Sequence, residues 1–222
     1  MNSLKISQLS HSFNNRKLLD TIGFSLKTGE ILSIFGRNGC GKSTLLKILF
    51  STQKADAITM LLNEQKILSK EIIPRKIIAY LPQENFLPRN TKVRDIIPMY
   101  YKGDEQDKVF YAPGIDKIAH TKAGNLSLGE LRYLELLLVG NLDHLFLMLD
   151  EPFSMVEPLF KEKIKEFLKA LQKQKGIIVT DHYYKDVLEI STRNMLLKNS
   201  ILLPINSVNE LITEGYLPSK NI

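Results

Sequence analysis

The sequence predicts an α/β domain built on a mostly parallel central sheet. Three observations carry that prediction. Short apolar runs alternate with amphipathic helical stretches along the chain, the pattern of parallel strands covered by helices on both faces. The stretch GRNGCGKST, Gly36 to Thr44, has the G-x-x-x-x-G-K-[ST] spacing of a phosphate-holding loop, which needs a strand before it and a helix after it. The run LFLMLDEP closes a buried-type strand with two carboxylates, at the sheet edge where open α/β folds bind ligands.

The elements follow in chain order. EILSIF, Glu30 to Phe35, reads as a buried strand, and Ser43 to Phe50 as the helix after it. ITMLL and IIAYL read as further strands. Thr91 to Tyr101 is helical, with Pro98 placed to kink or end it. The segment YKGDEQDKVFYAPG is polar and turn-rich, with no defined element. Leu128 to Val139 is a helix, and LFLML the strand after it. EPLFKEKIKEFLKALQKQKG places Leu159, Phe160, Ile164, Phe167, Leu168 and Leu171 on one helical face; its Lys and Glu residues are expected mostly on the other, solvated face, and Gly176 stops it. IIVT is a strand, with a helix from about His182. NMLLKNSILLPI forms a closing hairpin and SVNELITEG a short last helix.

Composition narrows the class. The chain has 222 residues and a formal net charge of +6, which suits one domain with room for a small insert. The charge is compatible with polyphosphates, nucleic acid or an anionic membrane face, and equally with a Lys-rich surface. The single cysteine, Cys40, excludes an intrachain disulfide. The N-terminal MNSLKISQLSHSF lacks an apolar signal region. The longest apolar stretch, LELLLVGNLDHLFLMLD, is broken by Glu135, Asn141, Asp143 and His144, so a soluble chain is expected.

The chemistry of the loop follows from its residues. Gly36, Gly39 and Gly41 let the backbone curl so that amides, with the next helix N-terminus, face phosphate oxygens. Arg37, Asn38, Cys40 and Thr44 complete the same loop. Lys42 reaches the terminal phosphates, and Ser43 offers a hydroxyl to Mg²⁺. Cys40 is expected as a small loop residue, not a catalyst, beside a helix N-terminus able to lower its thiol pKa. Asp150 is placed to hold Mg²⁺ through water, and Glu151 to polarise an attacking water.

In this order along the chain, the motifs resemble the ATP-binding cassette (ABC) family's nucleotide-binding domain. GRNGCGKST is similar to its Walker A, YLPQE to its Q-loop, LSLGE to its signature, LFLMLDEP to its Walker B, and IIVTDH to its switch. The resemblance implies a P-loop NTPase fold with a small antiparallel β-subdomain and an inserted α-helical subdomain. About 1–83 and 123–222 would form the ATP-binding core, and 84–122 the helical insert. It implies an ATPase using ATP and Mg²⁺, in which two subunits sandwich ATP between one phosphate loop and the other's signature. Gln83 would then contact Mg²⁺ or the attacking water, His182 the γ-phosphate, and Ser127 and Gly129 the partner's nucleotide. Phe13 matches the aromatic that stacks on adenine. His11 is a substitute for that role, and packing in a small antiparallel sheet is the other reading of Phe13.

The chain departs from the family at Leu128, which stands for a Gly, at Glu130, at Arg37, which replaces a common Pro, and at Val156-Glu157, where Leu-Asp is usual. Arg132 sits where a basic residue is common. The expected function is the ATPase subunit of a transporter, slowed by these departures. It would be peripheral on the cytoplasmic membrane face, docked to a permease on a separate chain and paired with a second ABC subunit. No nucleic-acid partner is expected. The alternative is a soluble ATP-dependent clamp in assembly or regulation. A small-molecule kinase leaves Gln83, the signature and His182 unexplained.

Overall fold

The computed structural model describes residues 1–218. Two sheets share the chain. The first is antiparallel and four-stranded, made of β1 (Ser3–Phe13), β2 (Arg16–Lys27), β4 (Ala57–Leu62) and β5 (Gln65–Ile67), in the order β2-β1-β4-β5. The second has six strands in the order β10-β9-β3-β8-β7-β6. Its members are β3 (Ile31–Phe35), β6 (Ile78–Leu81), β7 (Phe146–Asp150), β8 (Gly176–Thr180), β9 (Arg193–Lys198) and β10 (Ile201–Ile205). The first five of these are mutually parallel, and β10 returns antiparallel as a hairpin on β9. The α/β class read from the sequence is therefore the observed one.

The parallel strands are short and apolar because both faces are covered. Every residue of β3, β7 and β8 is buried. One face packs on α1 (Lys42–Leu49) and the antiparallel sheet, with Leu45, Leu46 and Leu49 against Ile34, Met148 and Ile178. The other face packs on α5 (Leu128–Gly140), α6 (Pro158–Gln172) and α7 (Tyr184–Ile190). Ten of the thirteen residues of α5 are buried, so it is the central helix of that layer.

Residues 84–122 hold α2 (Val93–Tyr100), α3 (Asp107–Phe110) and α4 (Ile115–Ile118), with a 3₁₀ turn at Gly103–Gln106. The turn-rich stretch from Tyr101 to Gly114 thus contains short helices that its polarity hid. Pro98 lies inside α2, which ends two residues later. The ends of the segment meet where Lys92 bridges Lys122 and the Ala123 amide donates to the Thr91 carbonyl (2.9 Å). The last helix, α8 (Val208–Thr213), is capped by Ser207.

The charges of α6 mostly face outward as expected, with one exception: Lys165 is 5% exposed. Its ammonium meets Glu189 (2.6 Å), Glu162 (2.9 Å) and Asp186 (3.0 Å), while Lys161 also reaches Asp186 (2.9 Å). The cause is α7, whose Asp186 and Glu189 lie against this face, so the lysines bridge two helices.

Candidate functional site

Strand order gathers the site. Phosphate loop, switch, acidic pair and Gln83 follow β3, β8, β7 and β6, which are neighbours in that order and point the same way. Four loops from distant parts of the sequence therefore emerge side by side at one sheet edge.

The phosphate loop runs from β3 into α1. Gly41 is the N-cap of α1 and has φ 109°, a conformation that favours glycine. A Cβ on Gly36 would sit 2.6 Å from Cys40 Sγ and 2.9 Å from the Leu197 carbonyl oxygen, so only glycine fits there. Lys42 is buried, and its ammonium donates to the carbonyls of Gly36 (2.7 Å) and Arg37 (3.3 Å). The ammonium thus spans the loop that its own helix closes. The first-turn amides of α1, at Lys42, Ser43 and Thr44, have no intrahelical acceptor and suit anionic oxygens. Asn38, Gly39 and Cys40 line a cavity of about 690 Å³ with Phe13, Arg16 and Tyr216. Phe13 ends β1 and is 64% exposed, so it belongs to the cavity wall rather than to the sheet's core. His11 instead contacts Gln53 (3.0 Å).

Cys40 departs from expectation. Burial pushes its thiol pKa up, and the nearby Lys42 charge offsets only part of that. The helix N-terminus does not make this thiol acidic. Arg37, in place of the common Pro, donates to the Gly215 carbonyl (2.9 Å) and ties the loop to the segment after α8.

The acidic pair ends β7. Asp150 is 1% exposed. Its carboxylate accepts from Thr180 Oγ1 (2.9 Å), its cross-strand partner on β8, and from the Tyr80 hydroxyl (3.2 Å) on β6. With Ser43 across the site, this buried carboxylate suits Mg²⁺ held partly through water. Metal-ligating clusters of three or more His, Cys, Asp or Glu are absent among the described residues. Mg²⁺ at nucleotide phosphates needs no such cage, because it keeps waters and phosphate oxygens as ligands. The Tyr80 hydroxyl is pushed to higher pKa by burial and by Asp150.

Glu151 joins the remaining loops. Its Oε2 accepts from Gln83 Nε2 (2.9 Å), and its Oε1 lies 3.1 Å from His182 Nε2, close enough for an ion pair but without hydrogen-bond alignment. Its backbone has φ 54°, a left-handed conformation uncommon for Glu. Asp181, beside His182, is buried and accepts from the amides of Phe153 (2.8 Å) and Tyr183 (2.9 Å). Burial raises its pKa to about 6, and Glu151 adds to the rise while those amides oppose it.

Ser127 and Gly129 stand apart from this cluster at the start of α5. Ser127 Oγ accepts from the Glu130 amide (3.2 Å), and Glu130 Oε2 accepts from the Ser127 amide (2.8 Å), a reciprocal capping box. A Cβ on Gly129 would meet Glu157 Oε2 at 2.0 Å and Phe160 at 3.0 Å, so any side chain there would displace the Glu157 carboxylate. Leu128 is 48% exposed beside them.

Sequence reasoning missed Tyr80, Thr180 and Asp181, and gave Arg132 no contact. Thr180 ends β8 opposite Asp150, and Tyr80 is a polar residue one short of the end of the apolar strand β6; that was the available signal. Arg132 is buried on α5 and donates to backbone carbonyls at Pro82, Asp150 and Glu151.

The parallel sheet, the phosphate loop and the carboxylates beside it define a nucleotide-binding α/β protein of the phosphate-loop class. The family is more specific: residues 19–154 match the model described as ABC transporter, and the chain belongs to that family. The chain is 24% identical over 230 residues to a lipopolysaccharide export system ATP-binding protein of Escherichia coli (strain K12), covering 98% of this chain and 95% of the relative. It is 29% identical over 226 residues to a spermidine/putrescine import ATP-binding protein of Borreliella afzelii (strain PKo), covering 95% of this chain and 64% of the relative. In fold it is similar to a nucleotide-free ATP-binding cassette from an ABC transporter, with TM-score 0.82, 20% identity, and coverage of 98% and 96%. Among the described residues, no helix is long and apolar enough to cross a membrane.

Proposed function

We propose that this chain hydrolyses ATP as one half of a nucleotide-sandwiched dimer and so drives a membrane permease carried on another chain. The single observation that best supports this is the meeting of Gln83, Glu151 and His182 at one carboxylate, next to the phosphate loop. In this reading Phe13 stacks on the base, and the loop from Gly36 to Thr44 wraps the phosphates. Lys42 exchanges its carbonyl partners for phosphate oxygens. Mg²⁺ bound at Ser43 and Asp150, with Gln83 nearby, would neutralise phosphate charge. Glu151 orients the attacking water and accepts its proton; His182 and Gln83 hold the carboxylate and the water in line. Positioning and charge stabilisation supply most of the rate in such a transfer.

Ser127 and Gly129 serve the partner subunit's ATP, because they lie at a helix N-terminus away from this chain's own acidic pair. Slow turnover is supported by Leu128 and by the Glu157 carboxylate against Gly129, which places an acidic side chain beside that anion site. About 1–83 and the described part of 123–222 form the ATP-binding core and about 84–122 the helical insert, whose Gln83 end receives the permease at the cytoplasmic membrane face. The names of the relatives, ATP-binding proteins of export and import systems, support a transport role without indicating direction or cargo.

Lys42→Ala tests the nucleotide assignment. Loss of a charge-assisted bond of about 1.5–3 kcal/mol predicts a ten- to hundredfold weaker ATP affinity. Unaltered affinity by fluorescent-nucleotide titration would remove the loop from the role given to it.

A further inference from the structure

Arg132 and Glu135 are a buried ion pair on the central helix, 4% and 0% exposed, at 3.4 Å. Burying two charges carries a desolvation cost that their mutual attraction alone does not recover. The other bonds of the pair go to the backbone of two loops. Arg132 Nη1 donates to the Pro82 carbonyl (2.7 Å), immediately before Gln83, and Glu135 Oε1 accepts from the Phe86 amide (3.0 Å), three residues after it. Arg132 Nη2 donates to the carbonyls of Asp150 and of Glu151 (3.3 Å). One guanidinium therefore pins the backbones whose side chains meet in the Gln83–Glu151 contact.

Glu151 makes this bracing necessary. A left-handed conformation at a non-glycine residue persists only where its surroundings fix it. The Glu151 amide is held by the Thr180 carbonyl (2.7 Å), and its own carbonyl is held by Arg132. We infer that Arg132, kept in place by Glu135, is a positioning residue that couples α5 to the Gln83–Glu151 geometry. Ser127, which caps α5, lies five residues before Arg132 on the same helix. Movement of the capped end reaches Glu151 through one rigid element and one side chain. Arg132 itself is buried and bonds to Glu135 and to backbone carbonyls.

The inference rests on the ATPase reading, and the test separates the two. Arg132→Lys keeps the charge beside Glu135, but one ammonium cannot fork across the carbonyls of Pro82 and Glu151. Single-turnover hydrolysis and ATP affinity are measured for wild type, R132K, Q83A and the double variant. R132K is expected to lower the hydrolysis rate at least tenfold with ATP affinity within twofold. Adding Q83A to R132K should cost at least threefold less than Q83A costs alone, because both changes loosen one contact. A wild-type rate in R132K, or rate losses that simply multiply, would overturn the inference. If R132K fails to bind ATP, R132M/E135L carries the same test, because it leaves no buried charge unpaired. Failure of both variants to bind ATP would make the pair a folding element only and also overturn the inference. A wild type that does not turn over ATP would instead reject the ATPase reading.

Discussion

Ser127 has two roles that one substitution can separate. It caps α5, and in the proposed dimer its hydroxyl also donates to the partner's γ-phosphate. Ser127→Asp preserves the first role, because Asp caps a helix as well as Ser and its charge suits the N-terminal dipole. It reverses the second by setting a carboxylate against phosphate. Ser127→Ala removes both the acceptor for the Glu130 amide and the donor. The cap is worth about 1 kcal/mol, which in a chain of this size lowers the melting temperature by about 2–4 °C. The phosphate contact, as one preorganised donor to transition-state charge, is worth roughly a hundredfold in turnover. The expected pattern is therefore crossed. S127A melts a few degrees lower and turns over slowly; S127D melts like wild type and turns over more slowly still. Differential scanning fluorimetry and steady-state phosphate release read the two axes. Wild-type turnover in S127D would refute the reasoning and leave Ser127 a cap.

Two further expectations follow from the site. Asp181 has a pKa raised to about 6, above its unfolded value near 3.9, so protonation favours the folded state. Its contribution to stability is full below the unfolded value, grows as pH falls through 6 and is lost as pH rises through it. Between pH 7 and pH 5, wild type should gain about 1 kcal/mol relative to Asp181→Asn in urea unfolding; a difference that does not change with pH contradicts this. Phe13→Ala should weaken ATP binding by roughly a kcal/mol while leaving tripolyphosphate binding unchanged. Equal ATP affinity in both proteins would dismiss the stacking role.

The centre of the parallel sheet was legible because β3, β7 and β8 are buried on both faces and stand out as apolar runs. The first two strands were not. In β1 the buried residues Leu4 and Ile6 give way to Leu9, and in β2 Leu19 gives way to Ile22, Phe24 and Leu26. Register shifts, with Gln8 and Thr21 at positive φ, move the inward face by one residue and break the period of two. The four loops of the site were legible for another reason: each follows a recognisable strand, and each carries residue types with little other use in that setting. What connects them was hidden. The Arg132 contacts run to backbone carbonyls 50 and 18 residues away, and a backbone carbonyl has no letter in the sequence. The lysines of α6 looked solvated because their partners lie on α7. Cys40 was misjudged because burial, which opposes the helix N-terminus, depends on packing around the loop.

In the proposed dimer, ATP joins two copies of the phosphate-loop site, or one copy and a related subunit, around a water held by Glu151. Glu151→Gln keeps the shape and the loop contacts but cannot accept the water's proton. Sedimentation velocity of this variant with MgATP, alongside phosphate release, measures both halves of the claim. Retained ATP binding, hydrolysis lost by at least a hundredfold, and an ATP-dependent dimer that persists, formed with itself or with a second ABC partner subunit, are expected. Wild-type hydrolysis in Glu151→Gln, or a monomer at saturating MgATP with the partner present, would contradict the claim.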